Sequence, residues 1–164
     1  MVEEKVSIPK LQGYTCFACG TANPIGLNLS FYRQGNNICS DITLGKNHEG
    51  WENMAHGGIA STLLDEIMSW AMIYFKRVFF VTRRMSIKYL KPVPLHTPLI
   101  AKGRIEGEKR RLCNAKGFIQ DSDQRILAKG EATFAVLSNE DLHSVPDKLK
   151  AEMNDLFELF KGMD

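Results

Sequence analysis

Between residues 58 and 75, apolar side chains return every three or four positions: Ile59, Ala60, Leu63, Leu64, Ile67, Met68, Ala71, Met72 and Phe75. That period predicts one long helix from about Gly58 to Phe75, with a broad buried stripe. Ser61, Thr62, Asp65, Glu66 and Ser69 fall outside the stripe, so something must cover a polar side of a largely buried helix. Elsewhere the period is two. "LNLSFYR" sets Leu27, Leu29 and Phe31 against polar partners, and "ICSDITL" carries Ile38, Ser40, Ile42 and Leu44 on one face. With "QGNN" as the turn between them, the two runs predict a hairpin. After the helix, "VFFVTRRMSIKYLKPV", "LIAKGRIEGEK", "RLCNAKGFIQD" and "RILAKGEATFAVL" are each strand-like, with breaks at "PVPLHTP", near "GEKR" and at "DSDQ".

Two strands, one helix and four strands predict an α+β domain, a curved antiparallel sheet wrapped around one long central helix. Ahead of it, "GYTCFACGTANPIGL" holds three glycines and a proline and reads as an ordered loop. Behind it, "PDKLKAEMNDLFELF" places Leu149, Met153, Leu156, Phe157 and Phe160 at helical spacing, as a cap on the domain or a surface for a partner. The organisation expected is a single domain over residues 1–138, whose first 27 residues are a loop segment, and a helical extension over 139–164.

Composition narrows the function classes. A chain of 164 residues, 44% hydrophobic, is the right size for one core. A formal net charge of +2 gives no global pull toward nucleic acid or a membrane surface. "MVEEKVSIPK" has no apolar run behind it, and "IMSWAMIYF" is too short to span a bilayer. A soluble cytoplasmic protein is expected. Of four cysteines, only Cys16 and Cys19 are close, in "CFACG". Cys-x-x-Cys is half of a zinc site or a redox pair, but no second half follows in sequence. Reduced cysteines packed in a loop are the expectation, with no metal.

The helix opens at His56-Gly57-Gly58, poor helix-forming material. Glycine in a first turn exposes unpaired N–H groups at the positive end of the helix dipole and lets a ligand approach the backbone. An oxyanion hole fits that description. Close packing of helix against strand explains two glycines equally well. Mid-helix acids are most often solvated, but Asp65 and Glu66 lie at the two borders of the apolar stripe, where burial raises a carboxyl pKa and suits it to act as a base. Eight residues separate Gly57 from Asp65, about 12 Å of helix at about 1.5 Å per residue. One helix therefore cannot bring both to one reacting carbon, whereas two antiparallel helices across a dimer interface can.

Three segments together, "EGWENMAHGGIASTLLDEIM", "MSIKYLKPVP" and "AKGEATFAVL", resemble the hotdog-fold acyl-CoA thioesterases. The nearest likeness is to the PaaI-type branch of the 4-hydroxybenzoyl-CoA thioesterase superfamily, over about residues 14–138. "CFACGTANPIGLNLSF" resembles the N-terminal segment of one subgroup. The resemblance implies dimers whose sheets join, with dimers often stacked into tetramers. It implies a thioester carbonyl held by the N–H of Gly57, with Gly58 beside it. A carboxylate matching Asp65 comes from the partner helix as general base or nucleophile. Thr82 is the match for a water-positioning hydroxyl, with Ser86 as second choice, and His56 is an orienting residue. Either Asn47 or Asn53 would contact the thioester oxygen, and Glu66 is the acid used in another branch.

Coenzyme A would enter only as part of the acyl-CoA substrate, with no separate cofactor. Its phosphates need cations at the site mouth. Arg83, Arg84 and Lys88 form one basic run and Lys109, Arg110 and Arg111 another; one of the two is expected to touch the nucleotide, and each reads equally well as a solvated edge. Met68, Trp70, Met72 and Phe79 are expected around the acyl group, although they are equally ordinary core residues. Two other activities fit a hotdog domain. One is an enoyl-thioester dehydratase recruiting His56 and Glu66, and the other is a non-catalytic acyl-CoA binding module.

Overall fold

The computed structural model describes residues 3–163. Met1, Val2 and Asp164, the outermost positions of the domain and its extension, lie outside the described residues. The elements, in order, are β1 (Val6–Ile8), β2 (Phe31–Gln34), β3 (Asn37–Thr43), α1 (Gly57–Ala71), β4 (Phe80–Tyr89), β5 (Pro98–Lys109), β6 (Leu112–Asp121), β7 (Ile126–Val136) and α2 (Asp147–Lys161). Among the described residues, seven strands form one antiparallel sheet in the order β1-β2-β3-β5-β6-β7-β4. Helix α1 touches β3, β4, β5, β6 and β7, so the sheet embraces it.

A row of glycines makes that embrace close. Gly103 of β5 pairs with Gly117 of β6, which pairs with Gly130 of β7. A Cβ on Gly103 would run into the carbonyl of Ile67, its carbon 2.7 Å away. On Gly117 and Gly130 it would press on the side chains of Leu64, Ile67 and Met68. The inner stripe of α1 (Leu63, Leu64, Ile67, Met68, Ala71) is accordingly fully buried.

Several elements differ from the sequence pattern. The first predicted strand is shorter, because Asn28 sits in the left-handed region (φ 46°) and breaks the alternation begun at Leu27. Leu29 is nevertheless buried. Val6–Ile8, inside the expected N-terminal loop segment, forms an edge strand on β2. The helix relaxes into a π turn over Met72–Lys76, and Arg77, at φ 52°, ends it. Helix α2 caps its own domain: Phe160 packs against Tyr74, and Phe157 against Phe79.

The polar side of α1 is covered twice over. The loop carrying Cys16 and Cys19 lies against Glu66, Ser69 and Trp70, and Trp70 stacks on Phe31 with ring centroids 4.2 Å apart. Strand β4, at the sheet edge, supplies hydroxyls to Ser61 and Asp65.

Candidate active site

His56 is the N-cap of α1, and its Nδ1 accepts the Gly58 N–H at 2.9 Å. That bond leaves the proton of the neutral ring on Nε2. The N–H groups of Ile59 and Ala60 turn back to the His56 carbonyl at 2.9 and 3.2 Å. Gly57 N–H finds no protein acceptor among the described residues. It borders a cavity of about 450 Å³ between residues 50–57 and 89–93, with the exposed ring of Trp51 at the rim. A Cβ on Gly57 would meet only the Tyr89 ring, at an ordinary 3.6 Å, and one on Gly58 would meet the capping His56 Nδ1 at 3.0 Å. Neither glycine is needed for helix-to-strand packing; the row Gly103, Gly117, Gly130 does that work. Tyr89, for which the sequence suggested no role, crosses this turn. Its hydroxyl lies 2.7 Å from Ser61 Oγ and donates to Gly57 O at 3.1 Å.

Two turns along α1, Thr82 Oγ1 donates to Asp65 Oδ1 at 3.0 Å. Burial raises the Asp65 pKa above its ordinary value, and the Thr82 hydrogen bond opposes that shift. Thr82 and Tyr89 lie seven residues apart, so a regular strand would turn them to opposite faces. The register slips between Thr82 and Arg84, leaving Arg83 as the extra residue of a bulge. The slip resets the parity, and both hydroxyls reach α1. Ser86 instead lines a surface cavity with Arg84, Lys116 and Glu131.

Glu66 is turned away from Asp65. Its Oε1 accepts the Trp70 indole N–H at 3.0 Å, and the rest of the carboxylate faces Cys16 and Cys19. Burial pushes its pKa up to about 7, with hydrogen bonds from Cys19 and Trp70 opposing the rise. Cys16 is lowered, chiefly by the Cys19 S–H directed at its sulfur, and Cys19 is raised by sharing that proton.

The remaining site residues divide. Asn53 is held in a left-handed turn (φ 59°), its N–H donating to Glu49. Asn47 is exposed on the 3-10 turn Lys46–His48, and neither asparagine lines the cavity at Gly57. Arg83 shares a groove of about 560 Å³ with Lys109, Arg110 and Arg111, so parts of the two basic runs converge. Arg111 is held by Asp141 and the Val136 carbonyl. Arg84 and Lys88 border other cavities, on the Lys116 side of the sheet. Met68 and Met72 are fully buried in the core, and Phe79 packs on Phe157. Trp70 borders a smaller cavity beside Cys16. None of these four lines the cavity at Gly57.

The thioesterase superfamily model matches residues 52–128, from the loop before α1 into β7. Over that segment the chain resembles the thioesterase superfamily. No curated protein matches the chain significantly. Among solved structures, a thioesterase superfamily protein superposes with a TM-score of 0.66 at 23% identity, covering 69% of this chain. The match spans 56% of that longer relative. A hypothetical thioesterase from Streptococcus pneumoniae, crystallised with coenzyme A, gives a TM-score of 0.60 at 24% identity, covering 68% of this chain and 90% of its own. The Escherichia coli PaaI protein of the phenylacetic acid degradation operon gives 0.63 at 15% identity, with coverages of 68% and 81%. These likenesses establish the hotdog fold. No helix among the described residues is long and apolar enough to cross a membrane.

Proposed function

We propose that this hotdog protein hydrolyses acyl-CoA thioesters to a carboxylic acid and free coenzyme A, as a PaaI-type enzyme working at least as a homodimer. The observation that carries the reading is the Asp65–Thr82 pair, a half-buried carboxylate with a raised pKa held by a hydroxyl on an open edge strand. The thioester oxygen accepts the Gly57 N–H of one protomer, where the helix dipole favours developing negative charge. Asp65 of the other protomer takes a proton from water as it attacks the carbonyl carbon, with Thr82 fixing the carboxylate. The tetrahedral intermediate then expels the thiolate, and the proton passes from Asp65 to sulfur. Coenzyme A takes part only as the leaving half of the substrate.

The geometry of the helix supports the dimer. Asp65 stands about 12 Å along the axis from Gly57, too far for one substrate carbon. The outer edge of β4 is open in a single chain, and Val81 on it is 52% exposed. Pairing two such edges joins the sheets and brings the two helices alongside. Arg83, Lys109 and Arg110, next to Thr82, are the cations we assign to the phosphates of coenzyme A. Coenzyme A in the S. pneumoniae relative supports that substrate class. Structures of the same relative carry single Asp→Ala and Thr→Ala replacements, the residue types paired here.

The dehydratase reading needs a His and a carboxylate at one substrate. Glu66 is ten positions from His56, about 15 Å of helix, and lies under the N-terminal loop. The deciding assay is free thiol release from short, medium, long and aryl acyl-CoA esters, with Asp65→Asn alongside the natural chain. Turnover lost in the variant while the dimer persists supports the hydrolase. Absence of turnover by the natural chain on every ester removes that reading for those substrates.

A further inference from the structure

Beneath the N-terminal loop, on the opposite border of α1 from Asp65, lies a second group of reactive side chains. One ligand atom each from Cys16, Cys19 and Glu66 falls within 4.8 Å of the other two. We propose that these three residues bind a zinc ion, which clasps the N-terminal loop onto the central helix. The inference is independent of the hydrolase reading.

The loop is shaped for a metal thiolate. Gly20 N–H bonds back to the Cys16 carbonyl at 2.9 Å, and backbone N–H groups of Ala18, Cys19 and Gly20 are directed at the Cys16 sulfur. Such donors stabilise sulfur in its anionic form. The turn admits only glycine at position 20: a Cβ there would overlap the Tyr14 carbonyl and come within 2.6 Å of the Cys16 backbone. Lys10 anchors the same turn, donating to the carbonyls of Cys19 and Leu29 and to Asn28 Oδ1 at 3.0, 2.6 and 2.8 Å. With its ammonium spent on those three acceptors, Lys10 does not cap the sulfurs or the carboxylate.

Glu66 completes the donor set from the helix. Trp70 holds Oε1 at 3.0 Å from the helix side while the Cys19 thiol meets the carboxylate from the loop side, an arrangement in which an outer hydrogen bond orients a metal ligand. Zn–S and Zn–O distances of about 2.3 and 2.1 Å put tetrahedral ligand atoms roughly 3.5–3.8 Å apart. From separations within 4.8 Å, each pair needs to close by no more than about 1.3 Å to reach that spacing. Three protein ligands leave a fourth position, and a cavity of about 160 Å³ bordered by Tyr14, Ser69 and Ile73 has room for a water there.

The ligand types select the ion. Two thiolates exclude calcium and magnesium, one carboxylate disfavours copper(I), and an iron–sulfur cluster needs more thiolates than the loop offers. Without a cation, the Cys19 proton is shared toward Cys16 and Glu66. Coordination expels that proton to solvent and replaces it with the metal, with no change of oxidation state.

The test is the metal content of the full chain, purified reduced and without chelator. About one zinc per chain is expected, falling at least tenfold in Cys16→Ser/Cys19→Ser and in Glu66→Gln. Cobalt(II) added to the reduced, metal-stripped natural chain should give a thiolate-to-cobalt charge-transfer band that one equivalent of zinc abolishes. That second reading needs no variant to fold. Chelation should lower the melting temperature of the natural chain and leave the double serine variant unmoved. The proposal is overturned if the reduced chain takes up neither ion at micromolar concentration. Zinc content unchanged in the double variant, or a Cys16–Cys19 disulfide as the form that persists under reducing conditions, also overturns it.

Discussion

Thr82 Oγ1 donates a hydrogen bond of 3.0 Å to Asp65 Oδ1, joining the edge strand to the central helix at the rim of the sheet. The bond does two things at once. It orients a carboxylate that burial would otherwise leave more basic and free to rotate, and it holds that group where a second subunit can be met. Asp65→Asn should therefore lower kcat on an accepted acyl-CoA by about 10²–10⁴-fold, the usual worth of a positioned base, with the dimer intact. Steady-state thiol release with sedimentation velocity checks both halves.

Thr82→Ala should cost less turnover and shift the pH profile. The Thr82 bond lowers the Asp65 pKa against the larger effect of burial, so removing it lets the pKa rise further. A base works when deprotonated, and the acid limb of kcat should therefore move to higher pH. A limb that stays in place would show that Asp65 is not the titrating base.

Stability should follow the same group with a definite sign. The folded-state pKa of Asp65 lies above its ordinary value, so its folded form is favoured at low pH and loses that advantage as pH rises through the folded pKa. Asp65→Asn is uncharged throughout. Its melting temperature relative to the natural chain should be highest near neutral pH, and the difference should shrink on acidification through the Asp65 titration. Scanning calorimetry across that range reads the slope directly.

Gly57→Ala separates ligand access from packing. The added methyl meets only the Tyr89 ring at an ordinary distance, and alanine is about 1 kcal/mol better than glycine inside a helix, so folding should be unharmed. If the bare backbone admits a thioester oxygen, kcat/KM should still fall at least tenfold. By contrast, Gly103→Ala drives a methyl into the backbone of Ile67 and should destabilise by about 3 kcal/mol or more in denaturant titration. Gly117→Ala, which presses only on side chains, should cost about 1 kcal/mol.

Subunit mixing tests the shared site. Asp65→Asn and Gly57→Pro chains should each be inactive alone. Refolded together in equal amounts, half of the dimers are mixed, and each carries one site with both natural groups. Activity should return to roughly a quarter of the natural value. No recovery, with mixed dimers demonstrated by mass spectrometry, would place both groups of a site on one chain.

What the sequence determined by itself is whatever repeats along the chain. The three-to-four spacing from Ile59 to Phe75 specifies a helix with one buried face, and the alternation in β4 to β7 specifies strands, because both periods are properties of local backbone geometry. The start at His56 was legible for the same reason, since capping is a contact between near neighbours. The three segments that resemble hotdog thioesterases carried the fold and the Asp65 and Gly57 assignments. Tertiary structure decided whatever depends on a single irregular residue or on segments distant in the chain. One bulged residue, Arg83, turns Thr82 and Tyr89 to the same side, against the parity the pattern suggests. One left-handed Asn28 shortens the first hairpin. Residues about fifty positions apart meet where the loop crosses α1, giving Glu66 to Cys16 and Cys19 instead of to the site of Asp65. Local spacing cannot report such meetings, because they are set by which long-range packing buries the most apolar surface around the helix.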